Sequence, residues 1–315
     1  MKVFIIMLLL SATFFAQSQL DDTILFAPIN TKVNLSLHEK VPLSMIPRII
    51  SIHKAQLFDS NIDYTNLAIV SGAALTTGIG LHIYQSNSWW KNERSNFHFE
   101  NDWDYALWLD KLGHFYAGAL VAHAFSSGLE AANFDSENSA ILGAALSLGF
   151  LLYIEVEDGY GPNWGFSPGD AIADFLGAGY MLTQYYVPFL KNFMLKFSYY
   201  PSDKLRAGQH QGGNVIDDYE GQKQWLSLRV NEFLPSSIEK YWPDFLMLAG
   251  GVGVRNLDGS GGGQREYYIA LDIDAEEIPL YGPAWQFVKN TLNYIHFPMP
   301  GFRFSPDGAF FVFCF

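Results

Sequence analysis

Four stretches of the chain, Asn66 to Gln85, Leu112 to Leu129, Asn138 to Ile154 and Phe175 to Leu190, contain no Asp, Glu, Lys or Arg. Each approaches the roughly 20 residues that an α-helix needs to cross hydrocarbon. Such runs restrict the architecture severely, because a backbone with no water to bond to persists only as a helix or a closed barrel. Within them, small residues recur at four-residue spacing, Gly118 with Ala122, Ala140 with Ala144 and Gly143 with Ser147, which lets helix backbones approach closely in lipid. The expectation is a mainly α fold with a compact four-helix membrane bundle over residues 64–190. The competing reading is a water-soluble bundle of unusually apolar helices, since Thr76, Thr77 and Ser147 soften the runs.

Composition points the same way. Only 16% of the 315 residues are charged and 49% are hydrophobic, against roughly 25% charged in an average soluble domain. A net charge of -13 with no basic stripe excludes a phosphate-backbone partner, because nucleic-acid binding needs clustered Lys and Arg to release counterions. The opening MKVFIIMLLLSATFFAQSQ has a lysine, a short apolar core and a small-x-small ending at Ala16, Gln17 and Ser18. This predicts a secretory signal cut after about Ser18 and leaves residues 19–63 as an N-terminal extension; the alternative is an uncleaved anchor. The single cysteine, Cys314, allows no internal disulfide and no multi-cysteine metal site, and offers no lipid-anchor cysteine beside the signal.

Five tryptophans mark one end of the expected bundle. Trp89 and Trp90 follow the first segment, Trp103 and Trp108 precede the second, and Trp164 precedes the fourth, so antiparallel neighbours put all five at one membrane boundary. From about Lys191 the texture changes to aromatic alternation broken by turns, in Phe193 to Tyr199, Trp225 to Val230, Phe245 to Val254, Glu266 to Ile273 and Ala309 to Phe315. These read as strands, and residues 191–315 as a smaller strand-rich region. About five strands are too few for a transmembrane barrel, which needs at least about eight, so a small sheet packed on the bundle is expected.

Charge returns where the segments end. Asp110, Lys111 and His114 lie within one helical turn, Glu155, Glu157 and Asp158 close the third segment, and Asp170 and Asp174 open the fourth, again four apart. Up-down topology gathers these three helix ends at one end of the bundle. Lys111 is the natural counter-ion there, and Asp170 or Asp174 the partner of His114. Three uses compete: a structural network; binding, either of a divalent cation suited to Mn, Mg, Ca or Zn by His114, Glu155, Asp158 and Asp174 or of a lipid headgroup or peptide; or catalysis with His114, Lys111 and Asp110. Ser167 reads as an N-cap before Pro168, which gives Asp170 a capping duty three residues on. The Gly165-Phe166-Ser167-Pro168-Gly169 stretch matches a nucleophile elbow in letters only, since Pro168 lacks the N–H an oxyanion hole requires. His82 and His123 are isolated on apolar helices and read as core or interface residues, and His98 and His210 have no ligand spacing.

The same residues carry a resemblance. Asp110-Lys111-His114-Phe115, then Glu155-Asp158-Gly159, then Gly165 through Ala178 resemble family 2279 of the domains of unknown function, the YfiM-like predicted periplasmic lipoproteins, and more distantly the VanZ-like membrane proteins. Tyr219 to Trp225 is similar to the longer members of that family, extending the likeness over roughly residues 60 to 300. The resemblance implies a helical bundle and an envelope location without naming a substrate. The expected function is therefore binding or scaffolding in the bacterial cell envelope, as an exported integral protein of the inner membrane. Its expected partners are membrane lipid, an envelope protein or a cell-wall headgroup. The alternative is a membrane-embedded metal-dependent hydrolase or transferase acting on a lipid or cell-wall headgroup, with His114 as general base.

Overall fold

The computed structural model describes residues 62–91, 94–209 and 216–315. The expected signal peptide, most of the N-terminal extension and His210 lie outside them. Four long helices come first: α1 (Tyr64–Ser86), α2 (Leu109–Ala131), α3 (Ser136–Asp158) and α4 (Pro168–Tyr186). Their caps are local in origin. Asp63 accepts from the backbone N–H of Thr65 and Asn66, Asp135 from Asn138, and Ser167 from Asp170, each satisfying orphan donors of a first turn. Helices α2, α3 and α4 reach up to seven residues beyond the charge-free runs, because the ionisable residues there are helical as well, while α4 stops at Tyr186, short of its run's end at Leu190.

Packing of α2, α3 and α4 rests on the small residues. A Cβ on Gly143 would lie 2.8 Å from Ser126, and one on Gly118 2.5 Å from the Asp174 carbonyl of α4. One on Gly177 would overlap the Phe115 carbonyl of α2. Ser147 donates to the Gly118 carbonyl at 2.9 Å. By contrast α1 leans on its neighbours at few points, among them Val70 against Gly128 and the Asn66 amide on the Ala131 carbonyl at 3.1 Å. Two of the four helices, α1 and α3, are long and apolar enough to cross a membrane. The other two, expected as spans, carry Asp110, Lys111 and Glu130 on α2 and Asp170 and Asp174 on α4.

Six strands follow: β1 (Phe193–Tyr199), β2 (Gln222–Leu228), β3 (Leu246–Arg255), β4 (Gln264–Ile273), β5 (Met299–Ser305) and β6 (Ala309–Cys314). They form one antiparallel sheet in sequence order. That is one strand more than expected, β5. Short helices α5 (Asp203–Arg206) and α6 (Ser236–Glu239) interrupt the connections, and α7 (Pro283–Leu292) crosses from β4 to β5. The sheet sits against α2. Leu195 joins the core of Ala119, Leu120, Ala122, Ala178 and Met181, Phe197 stacks on Tyr116 at 5.6 Å, and Tyr116 donates to the Tyr294 carbonyl at 2.8 Å.

Candidate functional site

The polar end of the bundle is built by a strained entry into α2. Ala106, Leu107 and Trp108 all have positive φ, 46°, 56° and 76°, a conformation that costs an L-residue about 1–2 kcal/mol. Arg265, at the start of β4, holds the turn by donating to the Leu107 carbonyl at 2.9 Å and lying 5.7 Å over the Trp108 ring. The chain then enters α2 with Leu109 buried and Asp110 and Lys111 facing the mouth of the bundle.

Lys111 is the hub. Its Nζ lies 2.9 Å from Asp102 Oδ1, 2.8 Å from Asp110 Oδ2 and 2.7 Å from Asp170 Oδ1. Asp110 also accepts from the Tyr219 hydroxyl at 2.5 Å. Burial first, then the charge of Asp110, keep that phenol well above its usual range, and push the neighbouring Tyr105 up to about 12. Both hydroxyls therefore stay protonated and available as donors.

One turn deeper sits His114. Its Nδ1 lies 3.1 Å from Asp174 Oδ1 and 4.0 Å from Glu155 Oε1, and its Nε2 lies 3.6 Å from Asp170 Oδ1 and 3.9 Å from Asp110 Oδ1. The imidazole bridges all three helices. Two groups of three could hold a metal ion, His114 with Glu155 and Asp174, and His114 with Asp110 and Asp170; within each group one donor atom per residue lies within 4.8 Å of the others. The acids are buried, whereas the His114 side chain is 25% exposed. Asp174 is fully buried, and its Oδ2 has no hydrogen-bond partner.

The structure brings Asp110, Lys111, His114, Glu155, Asp170 and Asp174 together. It does not include Asp158 in either group. Its Oδ1 instead accepts from the Trp90 indole at 2.6 Å, so the expected ligand set of His114, Glu155, Asp158 and Asp174 loses a member. The capping duty assigned to Asp170 is also divided differently. Ser167 Oγ accepts from the Asp170 N–H at 3.1 Å, but the carboxylate that reaches the Ser167 N–H, at 3.1 Å, belongs to Glu155 of α3. Asp170 thereby keeps its carboxylate for Lys111. Asp102 is a residue the sequence did not single out. It pairs with Lys111 and accepts from Ser167 Oγ at 2.5 Å, and nothing in its NDWDY surroundings distinguishes it from an ordinary loop acid.

The aromatic boundary surrounds this mouth. Trp89 and Trp164 rings lie 5.8 Å apart and Trp103 and Trp108 6.3 Å apart, and the Trp89 indole donates to Asp217 at 3.0 Å. Of the other histidines, His82 meets the Tyr153 hydroxyl at 2.6 Å. His123 packs on Tyr294 at 5.0 Å, and His98 Nε2 lies 2.7 Å from the Trp164 carbonyl.

No curated protein and no solved structure matches the chain. The family match is narrower than the resemblance read from the motifs and does not extend to the VanZ-like proteins. It holds the first turn of α2, the end of α3 and the start of α4, and with them Asp102, Asp110, Lys111, His114, Glu155, Asp170 and Asp174; Tyr219 and Arg265 lie beyond it. Residues 98–186 match the model of the family described as predicted periplasmic lipoprotein (DUF2279), a description that agrees with export to the cell envelope.

Proposed function

We propose that the protein is embedded in a membrane of the bacterial cell envelope, the inner membrane suiting its helical spans, and that its charged mouth binds a divalent cation without carrying out a reaction. The observation that carries this reading is the buried Asp174 Oδ2, which has no hydrogen-bond partner while the same carboxylate touches His114 at 3.1 Å. An uncompensated buried oxyanion costs several kcal/mol, and around it the five carboxylates of Asp102, Asp110, Glu155, Asp170 and Asp174 face one lysine and one histidine. A cation held by His114, Glu155 and Asp174 gives that oxygen a partner and reduces the imbalance. One imidazole among carboxylates suits Mn, Mg, Ca or Zn. Embedding is supported by α1, 23 residues long and apolar enough to cross a membrane, with none of its apolar stretch buried against the rest of the chain.

Metal analysis of the purified full-length protein, wild type beside Asp174→Asn and His114→Ala, tests the proposal. The expected result is bound divalent metal in the wild type and its loss in both variants with helical circular dichroism unchanged. Wild-type protein that neither retains metal nor binds added Mn²⁺ overturns it.

A second reading, a metal-dependent hydrolase or transferase acting on a lipid or cell-wall headgroup, is favoured by one feature. His114 alone among the proposed ligands is open to the mouth, so its Nε2 can reach a substrate proton. Metal-dependent turnover of headgroup substrates that vanishes in His114→Ala selects this reading over simple binding.

A further inference from the structure

The sheet has an unusually apolar outer face, while its enclosed face mixes a small apolar cluster around Trp225, Ala249, Tyr268 and Ala270 with buried ion pairs. Adjacent rows across it have opposite character. One row runs Lys196, Trp225, Gly251, Tyr268, Arg303 and Ala309, and the next runs Leu195, Leu226, Gly250, Ile269, Phe302 and Phe310. The first row faces the enclosed side. There Lys196 pairs with Asp272 at 2.9 Å with both side chains fully buried, and Glu266 pairs with Arg303 at 2.5 Å. The second row faces outward, and away from α2 it is bare: Ile269 is 45% exposed and Phe310 67%, with Phe304 and Val312 alongside. Buried ion pairs on the enclosed face and a bare outer face of aromatic and aliphatic groups is the arrangement expected where the surrounding medium is hydrocarbon.

The outer wall is also banded. Among the described strands its only charged residue is Arg265, and that lies at the mouth end, on Trp108. Charge and amphipathic aromatics collect at the two ends: Trp103, Tyr105 and Trp108 at the mouth, and the exposed Tyr241, Tyr281 and Trp285 at the other. Strands of ten residues such as β3 and β4 span about 34 Å, close to the roughly 30 Å of a hydrocarbon core. The hold of Arg265 on the α2 entry sets the aromatic boundary of the sheet level with that of the bundle. At the outer edge of β6, Phe315 turns back onto Tyr200 beyond β1 at 5.4 Å, curling the wall around its polar lining.

We infer that the outer wall of β2–β6 faces lipid acyl chains, so that the sheet shares one bilayer with the helical bundle. A second copy of the chain is the competing occupant. A partner protein would seal a patch, whereas a charge-free belt bounded by aromatics at both ends matches a slab of fixed thickness. This inference rests on the bundle being membrane-embedded, and its test separates the two.

Ile269→Cys, Phe310→Cys, Leu75→Cys on α1 and Asp258→Cys in the β3–β4 loop are each labelled with bimane in the full-length protein. Wild type, whose single cysteine is buried, gives the labelling blank. The proteins are reconstituted in phosphatidylethanolamine–phosphatidylglycerol vesicles doped with acyl-chain nitroxide lipid. The expected result is that the labels at positions 269 and 310 lose most of their fluorescence to the nitroxide and little to aqueous iodide, matching position 75, while position 258 behaves oppositely. Iodide quenching at 269 and 310 with position 75 still lipid-quenched overturns the inference and leaves the embedded bundle standing. Iodide quenching at 75 alone removes the bundle reading instead. Protection of 269 and 310 from both quenchers, with cross-linking between copies, assigns the wall to a second protomer and also overturns the inference.

Discussion

Two buried clusters of ionisable groups, one inside the sheet and one at the mouth of the bundle, are built differently. Inside the sheet the buried acids are met by cations and by hydrogen-bond donors. Asp272 accepts from Ser227 Oγ at 2.6 Å, from the Ile273 and Phe297 N–H groups at 2.8 and 3.0 Å, and from Lys196 at 2.9 Å. Arg229 closes Asp274 and Glu276 at 2.5 and 2.6 Å, and Asn293 adds a bond to Asp274. The whole assembly is sealed. At the mouth of the bundle five carboxylates share one lysine and one histidine, the histidine is open to the exterior, and one oxygen of Asp174 is left over. The sheet cluster sets two cations against three carboxylates, whereas the mouth sets one lysine and one histidine against five; the nearer a buried cluster comes to balance, the more it specifies a structure and the less it leaves for a ligand.

Five substitutions press on this contrast. Removing Lys196 (Lys196→Met) leaves Asp272 charged and sealed, and is expected to cost about 3–5 kcal/mol in detergent unfolding, with no recovery on adding Mn²⁺. Lys111→Met, the corresponding change at the mouth, loses less and recovers with Mn²⁺; equal responses of the two variants to the ion erase the distinction. Next in size, Gly177→Ala drives a methyl into the Phe115 carbonyl and is expected to cost about 1–3 kcal/mol, with weakened cation binding because α2 and α4 separate beside His114 and Asp174. Asp174→Asn goes the other way. It removes the unanswered charge, keeps a side chain that can meet His114 and is expected to stabilise the apo protein by about 1 kcal/mol while abolishing metal retention, the usual exchange of stability against a working site. The smallest effect is expected from Ala106→Gly, which relieves a left-handed alanine at a glycine's entropic cost, for a net gain of about 0.5 kcal/mol, read as a small rise in Tm.

The sequence made the bundle readable because its signals are local. Charge-free runs, Ser167-Pro168 at a helix start and small residues at four-residue spacing each depend on a few neighbours. The convergence at the mouth was readable as well, since antiparallel helices leave no choice about which ends meet. What escaped depends on partners far along the chain. Asp102 acquires its role only through Lys111 and Ser167, and Tyr219 only through Asp110. Strand β5 escaped because MPGFRFS opens on a proline and a glycine; Gly301 is needed there because a Cβ would sit 2.9 Å from that of Cys314. Helix α7 lies behind Gly282 and Pro283, which read as a turn. The alternation in the strands was visible, but which set of residues faces inward was not, since alternation alone does not say which medium lies outside.

The close contact of α2 with α4 bears on what the mouth can discriminate. Because Gly118 and Gly177 bring the two backbones together, the spacing between His114 and Asp174 is set by main chain against main chain and not by adjustable side chains. Such a socket contracts or dilates very little. Ions of equal charge would then be sorted by radius, and a poorly fitting one would keep part of its hydration shell instead of drawing the helices inward.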